Sequence, residues 1–194
     1  MSLSRRSLLA AGVFSGCAWI CRSSRGNELA TTNALRVLRA SPAVGRREPP
    51  VITSLAMQPG GDLVAVGGDD HLLRIWNIRT GQLVHELVGH RDWIRDIAFL
   101  PTGDRLITAG NDRRLLLWTI TSGGIVQKQL AQHSQVIMTL AVDPNGRRLA
   151  ATGFEPNMCL YDLEADEHVE HLKCPCRDMR SVAFSPDGQL LASA

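Results

Sequence analysis

Residues 89–119 open with Gly89-His90-Arg91-Asp92-Trp93-Ile94. They pass through Ala98-Phe99-Leu100-Pro101-Thr102-Gly103-Asp104 and Gly110-Asn111-Asp112, and end on Leu117-Trp118-Thr119. Apolar runs at 94–99, 105–109 and 115–119, with a fourth at 125–129, are separated by Gly, Pro, Asn and Asp. Short apolar runs punctuated in this way are strands joined by tight turns, with Gly and Asn supplying positive φ. No segment of the unit carries a helical period.

The unit recurs. Pro101 has counterparts in Pro59, Pro144 and Pro186 at spacings of 42, 43 and 42 residues, and Trp118 has counterparts in Trp76 and Tyr161. Four strands repeated every 40 to 45 residues are the period of a β-propeller blade. The expected fold is therefore all-β, with four-stranded antiparallel blades at 51–89, 93–131 and 136–173 and half a blade at 179–194. Propellers close with about four to eight blades. The expectation is thus a fragment of a longer chain, or a ring completed by self-association of several copies.

At these residues the sequence resembles the WD-repeat β-propeller family. Gly89-His90, the segment 98–104 and Leu117-Trp118-Thr119 stand where the family has its GH, AFSPDG and LWD signatures, and the resemblance covers about residues 51–194. It implies a hydrogen-bonded relay in each blade of His, Ser or Thr, Asp and Trp, filled in the second repeat by His90, Thr108, Asp112 and Trp118. The first repeat keeps Asp70 and Trp76 but has Val66 at the hydroxyl position. The third keeps His133 but has Ala151, Glu155 and Tyr161 elsewhere, so its relay is expected to be absent and the blade to be held mainly by packing. The family's ring-closing strand is expected at 34–39.

The N-terminal 50 residues have a different character. Residues 1–21 place Arg5-Arg6 before an uncharged run that ends at Arg22, the plan of a signal peptide. Ser4-Arg5-Arg6-Ser7-Leu8-Leu9 resembles a twin-arginine export signal, and Phe14-Ser15-Gly16-Cys17 a lipoprotein box, which makes Cys17 the candidate for lipidation and membrane anchoring. The expectation is an exported bacterial protein of the periplasm or cell envelope. The alternative is a cytoplasmic one. Residues 22–50 read as a linker rich in Ser, Arg, Ala, Pro and Gly.

Eight arginines against Glu28 and Glu48 make residues 1–50 basic, whereas residues 51–194 carry 13 basic against 17 acidic residues. A mildly acidic folded part argues against nucleic acid as a partner. Phosphate loops, nucleophile elbows and His-Glu-x-x-His helices are all missing from the sequence, so neither a catalytic residue nor a cofactor is assigned. Acids such as Asp69-Asp70 and Glu164 to Glu167 read as solvated turn charge. The run His168-Val169-Glu170-His171-Leu172-Lys173-Cys174-Pro175-Cys176 has metal-ligating residue types but the wrong spacing for zinc, and it is assigned a structural role.

What remains is a binding surface. The family's architecture implies that the blade-joining loops and the turns after the second strands line the channel mouth and take protein or peptide partners. Here that face comprises Trp93, Arg95, Val136, Met138, Asp178 and Arg180, joined by Asp69, Asn111 and Phe154, with Trp93 as the expected anchor. The leading function is a non-catalytic scaffold for a protein or peptide. The alternatives are part of a propeller hydrolase or lyase whose site lies in other blades, and a cytoplasmic regulatory scaffold.

Overall fold

The computed structural model describes residues 17–20, 36–41, 45, 48–165, 169–174 and 178–194. Arg5, Arg6, His168 and Cys176 lie outside them. Sixteen strands and no helix occur among the described residues.

Three antiparallel four-stranded sheets follow one another along the chain, each with its strands in sequential order. Blade one is β3 (Ile52–Met57), β4 (Leu63–Gly68), β5 (Leu72–Asn77) and β6 (Gln82–Val88). Blade two is β7 (Ile94–Phe99), β8 (Arg105–Gly110), β9 (Arg114–Thr121) and β10 (Gly124–Gln132). Blade three is β11 (Ile137–Val142), β12 (Arg148–Gly153), β13 (Asn157–Asp162) and β14 (Val169–Lys173). The pair β15 (Val182–Phe184) and β16 (Leu191–Ser193) begins a fourth. Ahead of these, β1 (Cys17–Ile20) pairs with β2 (Arg36–Arg39), and Leu38 packs on Val64 and Val66 of blade one. The segment expected to close the ring takes β1 as its partner strand.

The blades stack face to face. One cluster joins Ala65, Leu73 and Ile75 of blade one to Ile94, Phe99, Leu106 and Trp118 of blade two. A second joins Ile107, Ala109 and Leu115 to Ile137, Leu149, Cys159 and Tyr161 of blade three, and a third joins Ala150 and Met158 to Met179 and Val182. The second strand of each four-stranded blade is buried along almost its whole length, because a neighbouring sheet covers each face. Such strands read as continuous apolar runs instead of alternating ones.

The proline-glycine turns also pack from blade to blade. Gly146 has φ +73°, and a Cβ there would lie 3.0 Å from the Pro101 ring of the preceding blade. Gly188, at φ +70°, would meet Pro144 in the same way. The 42–43-residue period is thus the distance between turns that touch. We predict that Gly146→Ala destabilises the full chain by about 1–3 kcal/mol in urea unfolding, through left-handed backbone strain and the Pro101 contact. Gly123→Ala, with negative φ and only a distant hydroxyl nearby, should cost nothing measurable.

Candidate functional site

A buried polar chain locks blade two. Trp118 Nε1 donates to Thr108 Oγ1 at 2.9 Å, and Thr108 lies 2.7 Å from His90 Nε2. His90 Nδ1 lies 2.9 Å from the Asp112 carboxylate, which also accepts the backbone N–H groups of Arg91 and Arg114. With Nδ1–H donating to Asp112, Nε2 accepts from the Thr108 hydroxyl and every polar atom of the chain is matched. Burial pushes the Asp112 carboxyl up, but the bonds and charge from His90 and the bond from Arg91 outweigh it and hold it below the usual range.

Blade three lacks the Thr–Asp–Trp relay, as expected, but packing is joined by a shorter polar lock. The Tyr161 hydroxyl reaches His133 Nε2 directly at 2.6 Å. A phenol extends farther from the strand than an indole N–H, so no intermediary hydroxyl is needed at Ala151. His133 Nδ1 lies 3.5 Å from Glu155 Oε1, which accepts from Ser134 N, Ser134 Oγ and Gln135 N.

Blade one uses a third device. Asp70 pairs with Arg74 Nη2 at 2.7 Å, and Arg74 Nε pairs with Glu86 at 2.9 Å, with the guanidinium only 1% exposed. Trp76 does not join Asp70; it packs beside Val64, Val66 and Leu38. The sequence reading missed Arg74, because a charged residue in a strand reads as solvent-facing.

The residues predicted for the binding face lie beside a shared backbone motif. Each innermost strand carries a bulge, between Ile52 and Ser54, Ile94 and Asp96, and Ile137 and Thr139, so Thr53, Arg95 and Met138 are the bulged residues. A bulge bends its strand and re-aims the extra side chain. Beside each bulge a turn residue donates its N–H to the residue before the strand: Asp69 to Val51, Asn111 to Trp93, and Phe154 to Val136. At Gly153 a Cβ would lie 2.1 Å from the Val136 oxygen, so only glycine allows that approach.

Of the predicted face, the structure brings Trp93, Arg95 and Asn111 into one cluster. Arg95 Nε donates to Asn111 Oδ1 at 2.6 Å, and its guanidinium lies 5.1 Å from the centre of the Trp93 ring. Trp93 is 39% exposed although its backbone is tied down. Phe154, 40% exposed, occupies the equivalent of Asn111 in blade three, above half-buried Val136 and Met138. Asp178 and Arg180 are exposed at the start of the fourth blade, while Asp69 is tied to the Val51 N–H.

Next to Arg95, Asp96 was not foreseen. Its carboxylate accepts from the Leu140 N–H of blade three at 2.7 Å, from its neighbour Ile97, and from Ser54 of blade one at 3.4 Å. Burial raises its carboxyl despite these bonds. Ser54, Asp96, Thr139 and Ser181 recur at 42, 43 and 42 residues, and that register is the signal that could have found it.

The family description "WD domain, G-beta repeat" matches residues 44–77, 81–119 and 167–194, just over half of the chain. The chain belongs to the WD-repeat family. The matched stretches leave out the three inner strands of blade three, the WD repeat in which Thr, Asp and Trp are replaced by Ala151, Glu155 and Tyr161. Among curated relatives, periodic tryptophan protein 2 of Saccharomyces cerevisiae is 25% identical over 69% of this chain and 14% of its own length. Its Dictyostelium discoideum homolog is 27% identical over 71% of this chain and 17% of its own length. A probable serine/threonine-protein kinase, PkwA of Thermomonospora curvata, is 39% identical over 25% of this chain and 7% of its own length. The chain therefore spans less than a fifth of each of these relatives.

Two predictions follow from the locks. Thr108→Val strands the His90 and Trp118 nitrogens and should cost about 2–4 kcal/mol in urea unfolding at pH 7, whereas Tyr161→Phe should cost about 1–2 kcal/mol. Because the folded Asp112 carboxyl sits below its unfolded value, its contribution is complete above about pH 4 and disappears as pH falls through the folded value. The stability gap between wild type and Asp112→Asn should accordingly shrink on acidification below about pH 4.

Proposed function

We propose that this WD-repeat chain is a non-catalytic scaffold that binds a protein or peptide at the turn-lined end of its blades, with Trp93 as the anchor. The observation that carries this reading is the Trp93–Arg95–Asn111 cluster: an exposed indole beside a guanidinium that is itself oriented by a fixed amide. Trp and Arg are enriched among interface hot spots because a large rigid ring and a planar cation lose little freedom on binding. Arg95 held against the ring is a donor array already in position for a carboxylate or backbone carbonyl. Phe154 and half-buried Met138 add apolar surface on the equivalent part of the next blade. Fold alone would not favour binding over catalysis, since propellers host both. The reading rests on the cluster and on membership of a repeat family.

The same proposal places the protein outside the cytoplasm of a bacterium, on the strength of Arg5-Arg6 and the apolar run behind them, with Cys17 as the residue that would carry a lipid. Substituting both arginines with lysine should then leave the chain uncleaved in the cytoplasm of a bacterial host. An intact N-terminus on the unsubstituted chain would remove the export part of the proposal.

Peptides selected by display on the immobilised full chain should lose at least tenfold in affinity on Trp93→Ala, and a comparable amount on Arg95→Ala, by titration calorimetry. Selection of no peptides, or selected peptides indifferent to both substitutions, would overturn the scaffold reading.

A further inference from the structure

We propose that blade three carries a zinc-type divalent-cation site built from His133, Glu155, Cys159 and His171. It lies outside the channel-end face and does not depend on the binding reading.

The four residues come from four parts of the blade: the joining loop, the turn after β12, β13 and the outer strand β14. One ligand atom from each of His133, Glu155 and Cys159 lies within 4.8 Å of the other two. His133 Nδ1 is 3.5 Å from Glu155 Oε1, and Cys159 Sγ is 3.4 Å from His171 Nδ1. Tetrahedral zinc with sulfur near 2.3 Å and nitrogen or oxygen near 2.0–2.2 Å requires ligand atoms roughly 3.3–3.6 Å apart. Two edges of the tetrahedron already have that length, the edges from Cys159 to His133 and Glu155 are within 4.8 Å, and His171 joins the group through Cys159.

The cross-strand pair makes the choice of residues informative. Position 159 corresponds to Arg74 in blade one and Leu116 in blade two, and each faces one residue on the outer strand. The pair is Arg74 with Glu86, Leu116 with Gln129, and Cys159 with His171. Blade one thus closes this position with an ion pair and blade two with a leucine. Blade three presents a thiol and an imidazole, and the thiol also lies against the Tyr161 hydroxyl of the lock.

The surroundings suit a metal. The Ser134 and Gln135 donors fix the Glu155 carboxylate, and Tyr161 holds the far nitrogen of His133, as the outer partners of metal ligands do. His171 is exposed, which gives an ion a way in from solvent. A thiolate and a carboxylate balance the charge of a dication beside two neutral imidazoles. On binding, the S–H bond breaks, a metal–sulfur bond forms and the proton leaves to solvent. His133 binding through Nδ1 would carry its ring proton on Nε2, with the Tyr161 oxygen as acceptor. Mixed sulfur, nitrogen and carboxylate ligands favour zinc over magnesium or calcium.

The full chain, reduced and stripped with a chelator, should bind one zinc ion in competition with a chromogenic chelator. Cobalt(II) in its place should show a thiolate-to-metal charge-transfer band. Cys159→Ser should abolish that band, and His171→Ala, on the exposed outer strand where folding does not depend on it, should weaken zinc binding at least tenfold. Zinc should raise the melting temperature of wild type and not of His171→Ala. A band that persists in Cys159→Ser would place the metal on other cysteines and overturn the site. Zinc binding unchanged in His171→Ala, or no zinc bound by wild type, would do the same.

Discussion

The second strand of each of the three four-stranded blades is covered on both faces, and that constraint governs the rest of the molecule. Residues 64–68, 106–110 and 149–153 are buried without a break, so side chains there must be small, apolar or fully hydrogen-bonded. Ala65, Ala109, Ala150 and Ala151 let the sheets approach, and Thr108 is admitted because His90 and Trp118 satisfy it. An unmatched polar atom at this depth costs about 1–3 kcal/mol, a large part of a domain's net stability. The polar locks are consequences of sheets that leave water no access.

Three blades meet the same constraint with three chemistries. Blade two threads a hydroxyl between indole and imidazole. Blade three drops the hydroxyl and uses the longer reach of Tyr161 to His133. Blade one abandons the imidazole and buries Arg74 between Asp70 and Glu86. A buried ion pair gains little over apolar packing, but removing one partner leaves an uncompensated charge. What the blades share is a polar tie from the third strand to the turn before it or to the joining loop. The identity of the tie varies.

Much of this was legible in the sequence. The period, the four strands per unit and the turns at Pro59, Pro101, Pro144 and Pro186 rest on backbone preferences of a few consecutive residues. The lock of blade two could be named because all four residue types stood at their places. That of blade three could not, since Tyr161 meets His133 across 28 residues of sequence and without the usual residue types between them. Arg74 and Asp96 were missed for a related reason. A charged residue in a strand is ordinarily solvent-facing, and only the neighbouring sheets reveal that these two are enclosed.

The sequence by itself therefore determined the repeat, the strand order within each blade and the positions that must be glycine or proline, because those depend on local geometry and a fixed period. Tertiary structure decided which polar groups meet: Asp96 with Leu140, Tyr161 with His133, Cys159 with His171. The partner of a buried side chain is set by the face of another strand or blade, 12 to 44 residues away, and local propensity carries no information over that distance.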